Sequence, residues 1–260
     1  MSALPPDPKE IARLSQKFES ASPQEIIAWA VKTFWPDVAI SSSFQTHSLP
    51  LLHMAIHIRR DIRIFFIETG MHFWETLFFR ETLEMKWKLN VVDLRPDERW
   101  NNFLQLHWRE LPHQDPNLCC YLRKVQPMQK ALERMRAWIT GIRRDQTRER
   151  AAAQILEILP DGLLKVNPLL NWTEADVEAY RRQYDLPEHP LYAKGYLSIG
   201  CAPCTLPVHP GQPARSGRWA GSGKTECGLH TDMFKDRSLT DIRPTLDLNE
   251  LDPPQKGDLG

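Results

Sequence analysis

Between Val38 and Ile142 the chain alternates short apolar runs with stretches of helical periodicity, and no other feature limits its possible folds as much. Val38–Phe44 (VAISSSF) and Arg63–Ile67 (RIFFI) have the length and residue types of buried strands, and Asn90–Leu94 (NVVDL) and Trp138–Ile142 read as a third and a fourth strand. Leu49–Ile58, Phe73–Trp87 and Tyr121–Met135 lie between them and predict helices. The last contains Pro127, which should kink or restart it, because proline lacks an N–H and its ring clashes with the preceding turn. An earlier helix starts at Ser22-Pro23-Gln24-Glu25: Ser22 can cap, Pro23 suits the first position and Glu25 completes a capping box. Ile26–Phe34 continues it as a short amphipathic helix. Repeated strand–helix–strand units make right-handed crossovers, and hence an α/β fold with a parallel sheet covered on both faces. Ligands of such sheets bind beyond the carboxyl ends of the strands. The loops Ser41–His47, Glu68–His72 and Gly141–Gln146 are therefore where chemistry is expected.

Past Asn167 the pattern changes. Thr173-Glu174-Ala175-Asp176 caps one more helix, to about Tyr184. Pro187, Pro190, Pro203, Pro207, Pro210 and Pro213 then interrupt regular structure, and Gly211–Gly223 reads as a mobile Gly/Ser/Arg loop. The tail from Thr231 predicts an extended or partly disordered arm, of a composition that suits packing on a neighbouring subunit; an oligomer of identical chains stays open. Charge is balanced, 33 Lys+Arg against 33 Asp+Glu, so the basic footprint of a nucleic-acid binder is absent, although a small cationic pocket is still allowed. Met1–Glu10 shows no basic n-region or apolar h-region, and no stretch approaches the ~20 apolar residues of a membrane span. The expected compartment is the cytoplasm, where structural disulfides are disfavoured.

The five cysteines therefore carry more meaning than their number suggests. Four fall in two pairs, Cys119-Cys120 and Cys201-Ala202-Pro203-Cys204, and Cys227 stands alone. A C-x-x-C turn points two thiolates at one centre, as zinc and iron–sulfur sites require. Adjacent cysteines diverge, and they share a bulky four-iron cluster more easily than a single zinc ion. By spacing alone three readings stay open: inert buried pairs, zinc, and a cluster.

The surrounding words are more specific. Pro190–Thr205 reads PLYAKGYLSIGCAPCT, followed by Gly217-Arg218-Trp219 and Glu226-Cys227-Gly228-Leu229-His230. Upstream stand Cys119-Cys120-x-x-Arg123-Lys124-x-x-Pro127 and Gly141-Ile142-Arg143-Arg144-Asp145-Gln146. In this order, from about Val38 to His230, the motifs resemble the assimilatory adenylyl-sulfate reductases, the iron–sulfur branch of the phosphoadenylyl-sulfate reductase family. The resemblance implies an adenine-nucleotide α-hydrolase-like fold, akin to the ATP pyrophosphatases. It implies one four-iron four-sulfur cluster per chain on Cys119, Cys120, Cys201 and Cys204, lying near the substrate sulfate and not serving as electron donor. It also implies thioredoxin as reductant. The domain division it suggests is a helical lead over 1–37, a nucleotide- and cluster-binding domain over 38–210 and a flexible segment over 211–260 that carries the catalytic cysteine. Two departures stand out. The family's usual S-F-G-x-E-D loop is here Ser43-Phe44-Gln45-Thr46-His47-Ser48, and its D-T-G is Glu68-Thr69-Gly70.

Attack of a thiolate on a sulfate sulfur brings two anions together, so the site must supply cations. Lys124, Arg215 and Arg218 are the candidates, although each taken alone reads as solvated surface charge. Lys124 lies one helical turn from Cys120. Arg143 and Arg144 follow a strand end and suit a phosphate or an adenine face, the plainer reading being a salt bridge to Asp145 or Glu149. Ser42, Ser43 and the backbone after Val38–Ile40 are expected to cradle the α-phosphate, the plainer reading being a serine-rich turn, and Phe44, Glu68, Thr69 and Gly70 are further substrate-binding candidates. Cys227 follows a Gly/Ser loop and is the expected nucleophile, with a cation or His230 raising its thiolate fraction. The reaction expected is reduction of adenylyl sulfate to sulfite and AMP through S-sulfocysteine, with phosphoadenylyl sulfate as the alternative substrate. More distant alternatives are an ATP pyrophosphatase, which would want an intact S-G-G-x-D-S loop, and a cluster-binding regulator, which would not need Cys227. His47, His72 and His113 take no role, and Trp172 and Trp219 read as packing.

Overall fold

The computed structural model describes residues 7–235; the greater part of the tail expected to form an arm lies outside them. Six strands form one sheet in the order β3-β2-β1-β4-β6-β5: β1 Val38–Ser41, β2 Arg63–Ile67, β3 Asn90–Leu94, β4 Ala137–Ile139, β5 Leu156–Ile158 and β6 Leu164–Val166. The first four and β6 are mutually parallel, while β5 runs antiparallel to β6. The sheet is thus mostly, not wholly, parallel. Its antiparallel edge is a hairpin whose turn is Pro160-Asp161-Gly162, with Gly162 at φ 85°, a conformation glycine adopts without steric penalty.

The central strands are apolar on successive residues because both faces are covered. Val38, Ala39 and Ile40 on β1 and Ala137, Trp138 and Ile139 on β4 are fully buried, and each large side chain so buried contributes ~1.5–3 kcal/mol. One core joins α1 (Pro8–Phe18), α2 (Pro23–Phe34) and α3 (Leu49–Ile58) to one face of the sheet. The other core takes Ala39, Phe65 and Trp138 against Leu118, Leu122 and Met128. The helical lead therefore shares the core of the α/β domain: Ser15 Oγ of α1 accepts the Leu156 N–H at 3.0 Å. The capping box at Ser22 forms as the sequence demands, Ser22 N donating to Glu25 Oε2 at 2.8 Å.

Helix α4 spans Trp74–Trp87. The expected helix over Tyr121–Met135 begins earlier and is differently built. Pro116–Cys120 is α-helical, Tyr121–Val125 is a π-helical turn, and Gln126–Leu132 resumes the α form. The irregularity thus precedes Pro127, which occupies a first-turn position where its missing N–H costs little. A π turn inside a helix widens the spacing of its side chains and often marks a functional site. The Glu174–Gln183 helix follows β6, and the chain to Lys235 is largely irregular. No helix among the described residues is long and apolar enough to cross a membrane.

Candidate active site

A cavity of about 450 Å³ opens at the carboxyl ends of β1, β2 and β4, where crossover topology leaves the loops free to converge. Ser42 and Ser43 from the β1 loop, Thr69 from the β2 loop and Arg143 from the β4 loop line it, together with Lys124 and Cys227. The irregular segment after Pro187 closes it with Leu197–Gly200, Arg215, Arg218 and His230.

One end is cationic. Lys124 sits beside the thiols of Cys201, Cys120 and Cys227; burial would lower its pKa, but those sulfurs raise it above the ordinary lysine value. Arg215 is pulled down to about 10 by burial and by Arg150 and Arg218, while Glu226 and Cys227 hold it up, so it is charged at neutral pH. Arg218 donates to the Ile199 carbonyl at 3.2 Å and lies 4.3 Å from the Trp219 ring centroid. Its guanidinium lies against Gly200, where a Cβ would meet Nη2 at 2.2 Å, so only glycine admits it there. The Nε atoms of Arg215 and Arg218 are buried without a partner. Unpaired buried donors are costly, and an anion in the cavity is the partner that such donors suit.

Within the segment expected to be mobile, the chain next to Cys227 is held by buried partners. Glu226 is 4% exposed and accepts from Arg150 Nε at 2.7 Å, Arg150 Nη2 at 2.8 Å and Thr147 Oγ1 at 2.9 Å. Burial alone would raise the Glu226 carboxyl; the Arg150 and Thr147 hydrogen bonds and the charges of Arg150 and Arg215 lower it below the ordinary 4.5. Gly228 has φ 94°, and a Cβ there would meet Met233 Sδ at 2.5 Å; that glycine lets the chain turn directly after Cys227. His230 stacks on Trp138 with centroids 5.5 Å apart. Burial, and the nearby charges of Arg150, Lys165 and Arg215, depress its pKa well below the usual value. His230 is thus neutral, and the cations beside Cys227 are Lys124 and Arg215.

The opposite end holds the divergent loop. Ser43 and Ser48 hydroxyls lie 3.1 Å apart, Gln45 Oε1 accepts the Ile199 N–H at 2.8 Å, and Thr46 Oγ1 accepts the His189 N–H at 3.1 Å. The loop is thereby tied to the irregular segment. Phe44, expected at the nucleotide, is instead fully buried and packs edge-on against Phe66 at 5.6 Å; at φ 53° the backbone turns its ring into the core.

Other expected residues divide. Thr69 lines the cavity and its Oγ1 lies 3.4 Å from Cys201 Sγ. Glu68 and Gly70 build the turn: Glu68 Oε1 accepts the Gly70 N–H at 2.7 Å. Arg123 braces this turn from below, donating to the Thr69 carbonyl at 2.6 Å and the Leu104 carbonyl at 2.9 Å. Arg143 faces the cavity but is held by Asp145 at 3.0 and 3.3 Å. Arg144 points the other way, to Glu19 at 2.8 Å, Asn171 and the Ala153 carbonyl. It is not a nucleotide contact in this arrangement, because Arg143 is extended while Arg144 begins a short 3-10 turn over Arg144–Gln146 that carries its side chain away from the cavity. Arg150, which the sequence does not single out, His47, which takes no role there, and Glu174, expected only at a helix start, also line the cavity. Arg148-Glu149-Arg150 looks like an ordinary solvated charge run, and only the distant Glu226 gives it meaning.

The paired cysteines come from two places: Cys119 and Cys120 end the helix that starts at Pro116, and Cys201 and Cys204 flank a short turn. Among the described residues no group of three or more His, Cys, Asp or Glu side chains is disposed to enclose a metal ion. The thiols nonetheless share one neighbourhood. Burial, then the thiols of Cys120 and Cys201, push Cys119 up to about 12; burial and Cys201 push Cys204 up to about 11. Cys201 alone is lowered, against its burial, by Lys124 and Thr69. An all-sulfur donor set, mutually repelling when ionised and adjoined by Lys124, has the chemistry of a soft, multi-atom centre.

Comparison with known proteins agrees with this geometry. The family model of the phosphoadenosine phosphosulfate reductase domain matches residues 37–207. The adenosine 5′-phosphosulfate reductase of Salinibacter ruber is 38% identical over 232 residues, covering 88% of this chain and 92% of that protein. The protein of the same name from Mesorhizobium japonicum is 41% identical over 236 residues, covering 88% and 90%. Among solved structures, phosphoadenylyl-sulfate reductase from Candida auris, in a phosphate complex, superposes with a TM-score of 0.67 at 29% identity, covering 79% of this chain and 100% of that one. FMN adenylyltransferase from Candida glabrata, at 16% identity and a TM-score of 0.53, shares the fold.

Proposed function

The chain belongs to the phosphoadenosine phosphosulfate reductase family, and on that premise we propose that it reduces adenylyl sulfate to sulfite and AMP with Cys227 as nucleophile and a thioredoxin-type dithiol as reductant. The observation that carries this reading is Cys227 at the cavity wall, outside the cysteine pairs, beside Lys124 and Arg215. The curated relatives named for adenosine 5′-phosphosulfate favour that substrate over its 3′-phosphorylated form.

The Cys227 thiolate attacks the sulfate sulfur, forming an S–S bond. The bridging S–O bond breaks, and AMP leaves with its electron pair. Lys124, Arg215 and Arg218 offset the repulsion between thiolate and sulfate, which in a drier site is several times the ~1 kcal/mol of water. The serines of the β1 loop face the nucleotide from the opposite wall. A thiolate of the dithiol then attacks Cys227 Sγ, and sulfite departs with the electron pair of the cleaved S–S bond. The second thiol of the dithiol resolves the mixed disulfide, which restores Cys227 and accounts for two electrons. Cys119, Cys120, Cys201 and Cys204 are the residues that would hold a four-iron four-sulfur cluster. Bound there, the cluster would supply a fixed charge distribution beside Lys124, the electrons coming from the dithiol.

The test is a steady-state assay of sulfite release from the two nucleotides with thioredoxin as donor. Release from adenylyl sulfate supports the reading; no release from either nucleotide contradicts it.

A further inference from the structure

The two ends of the cavity differ in charge, and the difference bears on which nucleotide fits. Among the described residues, the cation that lines the cavity beside His47 and Glu174 is Arg143, and Asp145 already holds it in two hydrogen bonds. Asp145 also accepts the Glu174 N–H at 3.0 Å, which fixes the start of the Glu174–Gln183 helix against the cavity. Glu174 lines the cavity and keeps its side chain about half exposed. His47 lies beside it, its Nε2 4.0 Å from Glu174, 3.3 Å from Glu178 and 3.4 Å from the Tyr192 hydroxyl. Glu178 is itself paired with Arg181 at 2.9 Å. This end therefore presents an uncompensated carboxylate, with a histidine and a second carboxylate behind it.

We propose that Glu174, buttressed by His47, is the specificity-determining residue for the sugar: it accepts a ribose hydroxyl and repels a phosphate on that hydroxyl. The inference rests on the reductase reading, which places sulfate at the cationic end and so directs the nucleoside toward Glu174. The chemistry is general. A carboxylate hydrogen-bonds free ribose hydroxyls in dinucleotide sites, and an arginine takes its place where the sugar is phosphorylated. Here, among the described residues, the arginine at that end is Arg143, already held by Asp145. Burial and Arg143 lower the pKa of His47, against the opposing pull of Glu174 and Glu178, so the imidazole adds no positive charge near neutral pH.

The experiment measures binding of AMP and of adenosine 3′,5′-bisphosphate to the intact protein by calorimetry, for wild type, Glu174→Gln and Glu174→Arg. Glu174 is exposed at a helix start, so both variants should fold; circular dichroism checks this. Wild type should prefer AMP. Glu174→Gln should narrow that preference by about tenfold or more, the order of one unit-charge interaction near a protein surface, and Glu174→Arg should reverse it. If AMP binds and the ratio is the same in all three proteins, the assignment is overturned while the reductase reading stands. If wild type binds neither nucleotide, the reductase reading fails and this assignment falls with it.

Discussion

The sheet from β1 to β4 and the irregular segment from Pro187 to Lys235 build opposite walls of one cavity by different means. The sheet is held by a distributed core, in which Ile40, Ile64, Trp138 and Ile139 are all fully buried. Its contribution to the site is positional: serines, Thr69 and Arg143 at strand ends. The irregular segment has little regular structure, yet it carries Cys201, Cys204, Arg215, Arg218, Cys227 and His230. It is fixed by a few strong contacts, chiefly Glu226 on Arg150 and Phe234 against Trp138. A rigid floor with a pinned, reactive cover suits a reaction whose nucleophile must meet first a nucleotide and then a second protein.

If the cover carries the chemistry, its cysteine pair should be indispensable. Cys201→Ser is expected to abolish turnover and to remove the brown absorbance near ~400 nm of anaerobically purified protein. Stoichiometric zinc without iron in the wild type would break the cluster assignment. The anchor is the next point of attack. Glu226→Ala leaves Arg150 and Arg215 buried without their carboxylate, and removing one partner of a buried pair costs ~3–5 kcal/mol. That loss should appear as faster amide exchange across 211–235, with the β1–β4 amides less affected. Acid should act in the same direction. The folded Glu226 carboxyl titrates below the ordinary 4.5, so its contribution is complete above that value and lost as pH falls beneath it. Release of the segment only on the alkaline side would contradict the pairing.

Smaller effects separate the two ends of the cavity. Arg218→Ala should weaken adenylyl sulfate binding by ~1.5–3 kcal/mol for a lost charge-assisted bond, and AMP binding by less, in paired titrations. Equal losses would place Arg218 at the phosphate or in the fold. Arg144→Ala should leave nucleotide affinity unchanged and lower stability by ~1 kcal/mol, the order of a partly exposed ion pair; a large loss of affinity would return Arg144 to the nucleotide.

Periodicity makes the sheet legible in the sequence, because a strand buried on both faces must be apolar on successive residues. It conceals β5 and β6, whose three-residue strands are too short for a pattern, although Pro160-Asp161-Gly162 marks their turn. The cysteine motifs and Lys124, Arg215 and Arg218 are legible as words, since reactive residues sit in fixed local contexts. Phe44 and Arg144 are misread because local backbone geometry, a positive φ at Phe44 and a short 3-10 turn at Arg144, decides whether a side chain enters the cavity or leaves it. His47, Glu174 and Arg150 are invisible in sequence because their meaning comes from partners far along the chain. His230 is found by its motif, but its neutral state follows from its burial and from the cations around it.

The central claim is that Cys227 forms a covalent sulfur–sulfur bond with the substrate. Protein incubated with adenylyl sulfate and no dithiol should gain one sulfonate mass, located by peptide mass spectrometry on Cys227. Added thioredoxin should remove it with release of an equal amount of sulfite. Cys227→Ser should bind nucleotide, gain no mass and lose roughly 10³-fold or more in turnover. A sulfonate on any other residue, or sulfite formed by the serine variant at the wild-type rate, would contradict the account.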